Sequence, residues 1–293
     1  MDEQQRQART WLLTVVAMTA FATNSVLCRV ALGAHAVDAA SFTFVRLGSG
    51  AVTLTVLALF LREGHILGAG SWLSGFQLFL YAVAFSFAYL SLSAGTGSLI
   101  LFGSVQATMI ISGLRSGERP HVLQWAGLAI ALAGLIFLVF PGITAPSHGG
   151  SLLMALAGIA WGLYSLRGRG AKDPVCQTTG NFIKAVPFAL MVWAAGIQGV
   201  HAEPRGILLA ILSGSLASGI GYVIWYTALR GLSSTRAATV QLSVPVLAAF
   251  GGVIFLAEVV TLRMMIASIL ILGGVALTVI AKELKTENAT RTT

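Results

Sequence analysis

The chain has 293 residues, of which 56% are hydrophobic and 10% charged, and its formal net charge is +8. Soluble domains carry about 25% charged residues, so this composition excludes a water-soluble globular protein and predicts an integral membrane protein in contact with the lipid bilayer. Membrane topology alone produces such a basic excess, which therefore does not indicate binding of nucleic acid.

The first half of the chain predicts five membrane-spanning helices. Its N-terminal tail, residues 1–9, is polar, and the apolar run that follows is too long for the core of a signal peptide, which indicates a retained first span. No charged residue occurs from Gly64 to Leu114 or from Pro120 to Leu166, as expected of chain that crosses a bilayer. The predicted spans cover residues of about 10–31, 40–61, 71–91, 97–114 and 122–140.

The second half predicts five more spans, at about 151–167, 175–199, 205–229, 237–257 and 262–281, followed by a polar tail at 282–293. In the ninth span, Pro245 precedes Gly251 and Gly252. A proline inside a helix removes a backbone hydrogen bond and clashes with the preceding turn, whereas glycines permit close helix contact or bending. We expect a kinked helix that lines a cavity and acts as a hinge, with a static kink as the alternative.

The basic residues divide unequally between the predicted loops. Cytoplasmic loops are enriched in Lys and Arg, and with the N-terminus inside, only Arg29, Arg205 and Arg263 fall on the outer side. Both termini are therefore predicted to be cytoplasmic. The residues predicted on the inner side are Arg6, Arg9, Arg62, Arg115, Arg119, Arg167, Arg169, Lys172, Arg230, Arg236, Lys282, Lys285 and Arg291.

The two halves are related by an internal repeat. A shift of 140 residues places Phe42 on Phe182 and Glu118 on Glu258, with no gap across most of each half. Because each repeat has an odd number of spans, the second must enter the membrane from the opposite side, as in many secondary transporters. The predicted fold is all-α, with ten transmembrane helices in two inverted five-helix repeats at residues 10–141 and 151–281.

The stretch at 237–277, AATVQLSVPVLAAFGGVIFLAEVVTLRMMIASILILGGVAL, resembles the C-terminal EamA signature of the drug/metabolite transporter superfamily. In that pattern, small residues precede a "PV" pair, a glutamate closes the span and a glycine-rich last helix follows. Within the superfamily the chain looks most like the YddG-type amino-acid exporters. The resemblance implies a ten-helix exporter in the bacterial inner (plasma) membrane. One departure is that Val105 stands at the position matching Pro245, so the two halves need not gate alike.

Aromatic residues are the first candidates for the wall of a substrate cavity. Tyr81, Phe85 and Tyr89 share one face of the third span, since they are spaced four apart. Tyr89, close to a loop, is the strongest candidate for an interfacial anchor. Rings and hydroxyls together suit a solute with an apolar part and a polar end. The full set expected to line the cavity is Tyr81, Phe85, Trp161, Tyr164, Tyr222, Trp225 and Tyr226.

Polar residues inside spans form a second group of candidates. Gln241 and Ser243 flank the expected kink, and Gln106 lies in the matching helix of the first half. Arg46 and Lys184 are cations within spans, and such charges mark either a pathway or a pairing. Either could attract a substrate carboxylate, with snorkelling or a structural pair as the alternative, favoured for Arg46. We expect the cavity to be lined mainly by the third, fourth, sixth, eighth and ninth spans.

The chain carries none of the patterns expected of a membrane enzyme. It has no HExxH sequence, no Asp within a span and no histidine near the depth of Ser213. Cys28 and Cys176 lack metal-ligand spacing and are predicted to be packing residues, so no cofactor or metal is expected. All ten acidic residues lie in tails, loops or span ends, with Glu258 expected to pair with Arg263.

The sequence therefore predicts a secondary transporter that exports small organic solutes by alternating access. Amino acids, including aromatic or apolar ones, are the first substrate class considered, and other hydrophobic metabolites or drugs are the second. A solute channel is the remaining alternative, because polar helix breaks also line pores. Proton coupling through Glu118, Glu258 or Lys184 stays open, as does the oligomeric state, for which a monomer suffices.

Overall fold

The computed structural model describes residues 3–61, 68–115, 122–140, 145–168, 171, 173–232 and 240–291. Within these ranges the chain forms ten long helices, a short 3-10 turn at Ile197–Gly199 and one isolated antiparallel bridge between Val37 and Ala202. The helices are α1 (Glu3–Gly33), α2 (Ala39–Phe60), α3 (Trp72–Ala88), α4 (Ala94–Arg115), α5 (Val122–Val139), α6 (His148–Gly168), α7 (Pro174–Ala195), α8 (Pro204–Leu229), α9 (Ser243–Leu256) and α10 (Leu262–Arg291).

Side-chain caps explain where several helices begin. Asp38 precedes α2 and accepts a hydrogen bond from the Ser41 N–H, and Ser71 does the same for the Ser74 N–H at the start of α3. Asp173 caps α7, where Pro174 occupies the first turn. An oxygen at the N-cap satisfies one of the four N–H groups that a helix end leaves free.

Several helices have the length and composition of membrane spans. Among the described residues, five are long and apolar enough to cross a bilayer: Gln4–Gly33, Ala39–Phe60, Ala94–Gly113, His148–Gly168 and Pro204–Leu229. Shorter apolar helices cover Trp72–Ala88, Trp125–Leu138, Ser243–Leu256 and Leu262–Leu277. Large apolar side chains such as Phe60 and Phe255 are exposed on the outside of the bundle, as expected of surface that faces lipid.

Helix pairings repeat between the two halves. α2 packs on its counterpart α7, and α5 packs on its counterpart α10. The helices α3 and α4 of the first half contact α6, and their counterparts α8 and α9 contact α1. Likewise, α3 contacts α7, and its counterpart α8 contacts α2. This pattern is that of two units related by a pseudo-two-fold axis. The predicted fold class is confirmed: the protein is an all-α membrane protein built from two inverted five-helix repeats.

The expected kink in the ninth span is a break that comes before the proline. Val240 and Gln241 are helical, Leu242 forms a turn, and α9 begins at Ser243, so Pro245 lies in the first turn of α9. In a first turn the missing N–H of proline costs nothing, because that group has no partner within the helix. The Ser243 hydroxyl donates to the Val240 carbonyl at 2.7 Å and so satisfies a group at the break. Residues 237–239 of the predicted span lie outside the described residues.

α8 contains a second irregularity, which the sequence did not predict. Between two α-helical ends, Ser213–Ile220 adopts π-helical geometry. Such segments are rare and occur often at functional sites. Small residues allow this segment to approach α2, since a Cβ on Gly214 would collide with the Arg46 carbonyl. The π-segment therefore places the side chains of Ser213 and Ser218 against the centre of the bundle.

Candidate functional site

The aromatic residues predicted to line a cavity form one cluster at the centre of the bundle. Trp161 packs against Tyr222 with ring centroids 4.6 Å apart and against Tyr81 at 5.1 Å. All seven are buried. Further ring pairs within 6.2 Å join Tyr81 to Phe85, Trp161 to Tyr164, Tyr164 to Tyr226, and Trp225 to Phe21.

Phe21, which was not predicted, lies in the middle of this cluster. Its ring contacts Trp161, Tyr222 and Trp225 edge to face, with centroids 5.8 to 5.9 Å apart. α1 therefore takes the place in the cavity wall that had been expected for the ninth span. Since Phe21 has no aromatic neighbour at helical spacing, the sequence alone gave no pattern that would have identified it.

A small chamber is enclosed by these rings. Its volume of about 10 Å³ is close to the smallest space that holds one water molecule. The chamber lies between α1, α3, α4, α6 and α8, and within the described residues it is too small for a solute larger than water unless helices separate. The lining residues are Phe21, Asn24, Ser25, Tyr81, Phe85, Leu101, Phe102, Trp161 and Tyr222.

A hydrogen-bonded polar network borders the chamber. Asn24 on α1 donates to the Tyr81 hydroxyl at 3.2 Å and accepts from the Ser213 hydroxyl at 2.6 Å. Ser218 donates to the same Asn24 oxygen at 3.5 Å. Both serines belong to the π-segment, so that irregularity connects α8 to α1. Asn24 was not predicted as a site residue, although a side-chain amide within an apolar span is a pattern that could have identified it.

Arg46 on α2 is the cation of this network, and it is fully buried with 1% of its surface exposed. Its Nη2 donates to the hydroxyls of Tyr81 at 3.1 Å and Tyr222 at 3.2 Å, and its Nε donates to Ser218 at 3.1 Å. The expectation that Arg46 snorkels is wrong, whereas the structural pairing that was the other expectation is present, with hydroxyl groups as the partners. Among the described residues it has no carboxylate partner, and its Nη1 has no hydrogen-bond partner.

The other polar candidates lie away from the chamber. Lys184 donates to the Ala69 carbonyl at 2.6 Å and thereby holds the segment that leads into α3. Gln106 is buried in a separate narrow gap between α4, α5 and α10. Gln241 is buried beside the helix break, and Ser243 is exposed. The structure therefore unites the aromatic candidates with Arg46 but not with these four residues.

An ion pair joins helices at the end of the bundle where α1 and α9 end and α4 begins, which we call the outer end because the topology predicted from the basic residues places it outside. Glu258, just after α9, lies 3.2 Å from Arg29 of α1 and accepts from the Ala94 N–H at 2.8 Å. A carboxylate is favourable at a helix N-terminus because of the free N–H groups and the helix dipole. The expected pair of Glu258 with Arg263 is wrong, since Arg263 donates to the Phe140 carbonyl instead.

Tyr89 belongs to the same outer end and does not anchor the protein at the membrane interface as expected. It is fully buried, packs against Phe85 at 4.7 Å and donates to the Ala94 carbonyl. Its backbone carbonyl accepts from Arg29 at 3.0 Å. The aromatic cluster thus continues from the chamber to the Arg29–Glu258 pair.

The two glycines proposed as hinge residues make close contacts between helices. A Cβ on Gly252 would collide with the Glu258 carboxylate, and one on Gly251 would lie 2.7 Å from Val26 of α1. Gly251 therefore allows the close approach of α9 to α1, and Gly252 leaves room for the Glu258 carboxylate. Their role as hinges, like that of Pro245, stays a prediction.

A clasp between two loops joins the repeats at the outer end. The Asp38 N–H donates to the His201 carbonyl at 2.8 Å, and an Asp38 carboxylate oxygen accepts from the His201 N–H at 3.1 Å. Partial burial opposes ionisation of this carboxyl, but the hydrogen bonds from Ser41 and His201 lower the pKa of Asp38 below its usual value. The clasp therefore depends on the ionised carboxylate.

A larger groove of about 520 Å³ lies between α1, α8 and α9 on the side of the bundle. Its lining is mostly apolar and includes Val26, Phe250 and Ile254, with Arg205 at its edge. Phe250 and Ile254 are exposed, as expected of a groove open to lipid. No cluster of three or more His, Cys, Asp or Glu residues that could hold a metal ion occurs in the described part of the chain.

Comparisons with known proteins give the family context of this site. Residues 9–140 and 148–280 each match the model of the EamA-like transporter family. An uncharacterized protein of Pseudomonas aeruginosa, PA1977, is 50% identical over 269 residues, which cover 92% of this chain and 94% of that protein. A crystal structure of a protein 21% identical in sequence matches the fold with a TM-score of 0.65 over 93% of this chain and 97% of that chain.

Two relatives in Escherichia coli K12 carry functional names. A probable amino-acid metabolite efflux pump is 24% identical over 226 residues, covering 71% of this chain and 76% of that protein. The threonine/homoserine exporter RhtA is 31% identical over 156 residues, covering 50% of this chain and 51% of that protein. The names given to these relatives are those of transporters of small molecules.

Proposed function

Since the chain belongs to the EamA-like transporter family, we propose that it exports amino acids, above all those with aromatic or apolar side chains, from the cytoplasm. The solute is carried by alternating access, in which the two repeats rock about the aromatic chamber. The protein lies in the inner membrane of a bacterium with both termini in the cytoplasm, as the distribution of basic residues favours.

The observation that carries this proposal is the chamber itself. Rings from both repeats, among them Tyr81, Trp161 and Tyr222, meet around one polar network at the centre of the bundle. Aromatic faces bind an apolar side chain, and the hydroxyls of Tyr81 and Tyr222 with the amide of Asn24 can hold the polar end of an amino acid. The names of two relatives in Escherichia coli support the same substrate class.

Alternating access is supported by the closed chamber. A channel needs a continuous path, whereas here Arg29 and Glu258 join the helix ends on one side of a chamber that holds about one water. A transporter passes through such closed states between its two open ones.

Export of other hydrophobic metabolites or drugs is the second candidate. The groove between α1, α8 and α9 favours it, because a lipophilic solute dissolved in the bilayer could enter there. This groove reaches Ala22 and Val26 on the helix that carries Phe21 and Asn24 into the chamber.

Counterflow in proteoliposomes tests the proposal. Proteoliposomes that contain the protein and are preloaded with unlabelled solute are expected to accumulate labelled phenylalanine or tryptophan faster than preloaded liposomes without the protein. The same result is expected with and without a pH gradient. Accumulation of a lipophilic dye but of no amino acid would favour the second candidate. A steady single-channel conductance would contradict alternating access.

A further inference from the structure

We propose that Arg46 is the binding site for the carboxylate of the transported solute, and that an ammonium group on the solute is dispensable. The inference rests on the proposed function and specifies the substrate class. The solutes would then be aromatic or apolar monocarboxylates, which include amino acids and extend to acids without an amino group.

The first argument is that the charge of Arg46 is not compensated. A buried cation is costly unless it is paired and hydrogen-bonded. Arg46 is 1% exposed, and within the described ranges it has only hydroxyl partners, from Tyr81, Tyr222 and Ser218. Ring faces contribute as well, since its Cζ lies 5.0 Å from the centroid of Phe85 and 5.1 Å from that of Tyr81. These groups lower the cost but supply no negative charge, so an anion that arrives here gains an interaction that the empty protein lacks.

The second argument is that part of the guanidinium is still available. In the described residues Nη1 has no hydrogen-bond partner although it is buried. Nη2 is held by two phenols, one from α3 and one from α8. When those helices separate to enlarge the chamber, Nη2 is released beside Nη1. The two groups then form the planar fork that binds a carboxylate with two parallel hydrogen bonds.

The third argument concerns position. Tyr81, Tyr222 and Phe85, which surround the guanidinium, all line the chamber. A carboxylate on Arg46 therefore leaves the rest of the molecule next to Phe21 and Trp161. This arrangement suits a short acid with an apolar or aromatic substituent.

The fourth argument is the composition of the lining, which contains no Asp or Glu. An ammonium group would find only the neutral oxygens of Asn24, Ser25 and the phenols. Charged partners bind more strongly than neutral ones, so the site distinguishes solutes by their carboxylate.

The alternative is that Arg46 only ties α2 to α3 and α8. In that case its replacement would destabilise the fold without changing which ligands are preferred. Preference between ligands, and not activity alone, is therefore the quantity that separates the two roles.

Ligand binding to the purified full-length protein tests the inference, with the intrinsic fluorescence of its tryptophans as the signal. The ligands are 3-phenylpropanoate and phenylalanine, which carry a carboxylate, and phenylalaninamide and phenethylamine, which do not. The wild type is expected to bind the two carboxylates about tenfold or more tighter than the other two, because a hydrogen bond to a charged group contributes this much. Arg46→Gln is expected to abolish that preference, whereas the matched control Arg263→Gln, which removes an arginine outside the polar network of the chamber, keeps it.

Two further measurements make the outcome decisive. Arg46→Lys keeps the positive charge but lacks the planar fork of the guanidinium. It is expected to bind carboxylates more weakly than the wild type and still to prefer them over the other two ligands. If Arg46→Gln does not fold, Arg46→Lys is the variant that is compared with the wild type. Equal binding of all four ligands by the wild type, no binding of any, or a preference that survives in Arg46→Gln would each overturn the inference.

Counterflow separates the two proposals. Amino-acid flux with a selectivity that does not depend on Arg46 would contradict the carboxylate site alone. Carboxylate binding that depends on Arg46, without any flux, would contradict the proposed function alone.

Discussion

Trp161 and Tyr222 are the side chains on which the proposed solute binding most directly depends. Trp161 contacts the rings of Phe21, Tyr81, Tyr164 and Tyr222 around the chamber. A ring contact with an aromatic solute would contribute about 0.5–1.5 kcal/mol, so Trp161→Ala or Tyr222→Ala is expected to raise the KM for aromatic amino acids by about two- to tenfold. Initial rates of counterflow over a range of solute concentrations provide the measurement.

The control for this prediction is Trp125→Ala. Trp125 is 51% exposed on α5, so its removal should leave KM at the wild-type value. If both chamber variants transport every solute with an unchanged KM, the assignment of the chamber as the binding site is wrong.

Gly252 permits the contact that closes the outer end. An added Cβ would collide with a carboxylate oxygen at the end of the flexible Glu258 side chain, which can move away. Gly252→Ala is therefore expected to displace Glu258 and to open a path to the chamber. A cysteine placed at Ser25, which lines the chamber, should then react faster with a membrane-impermeant maleimide. Gly273→Ala, where a Cβ meets open space, should leave that rate unchanged; an equal effect of both changes would contradict the account.

Residue patterns predicted part of the site. Spacing by four placed Tyr81 and Phe85 on one face of α3, and both face the chamber. A lone cation in a span usually snorkels or pairs, and only the structure shows that Arg46 is paired and that its partners are phenols and a serine. Lys184 is also a cation within a predicted span, yet it donates to a backbone carbonyl outside the chamber.

The elements of the outer end are held by Glu258, which joins α1 to the start of α4. Glu258→Gln removes the charge that attracts Arg29 and weakens the interaction with the helix N-terminus. We expect faster labelling of the cysteine at position 25 from outside, and an Arg29→Gln change should add little to it. Partners in one ion pair show coupling of about 0.5–3 kcal/mol in a double-mutant cycle.

Glu203→Gln is the control for the outer ion pair. Glu203 lies at the same end of the bundle but pairs with His201 on the exposed surface, where an ion pair contributes little. Additive effects of the Glu258 and Arg29 changes on the labelling rate would show that the pair does not close this end.

The loop clasp at Asp38 should respond to acid. Its folded-state pKa is lowered by hydrogen bonds from Ser41 and His201, so its stabilisation is fully present above the unfolded pKa of about 3.9 and is lost as pH falls through the folded value. The thermal midpoint of Asp38→Asn is expected to lie below that of the wild type at pH 6, and the difference should start to shrink below about pH 4 and vanish once the pH is below the lowered folded-state pKa. A difference that stays constant down to pH 3 would contradict this role.

Irregular elements were the hardest to predict. The π-segment at Ser213–Ile220 reads as an ordinary apolar helix in the sequence, and its geometry depends on contacts with α1 and α2. Pro245 did signal an irregularity, but the break lies at Leu242 because the clash of a proline falls on the turn before it.

At the scale of the whole molecule, composition and internal repetition predicted the fold. Long apolar stretches predicted the helices, and the shift of 140 residues predicted the internal repeat; the packing of α2 on α7 and of α5 on α10 was not predicted. The contents of the chamber could not be predicted in the same way, because Arg46 and Asn24 have no polar counterpart of the same kind in the other half; Val186 and Tyr164 occupy the related positions. The scaffold is symmetric, whereas the site is not.

The central claim is that the two repeats cross the membrane in opposite directions around the chamber. Cysteines at positions 119 and 259, which the repeat relates to each other, test it most directly by reaction with an impermeant maleimide in intact cells and in permeabilised ones. Position 259 should react in intact cells and position 119 only after permeabilisation. Reaction of both positions in intact cells, or of neither, would contradict the account.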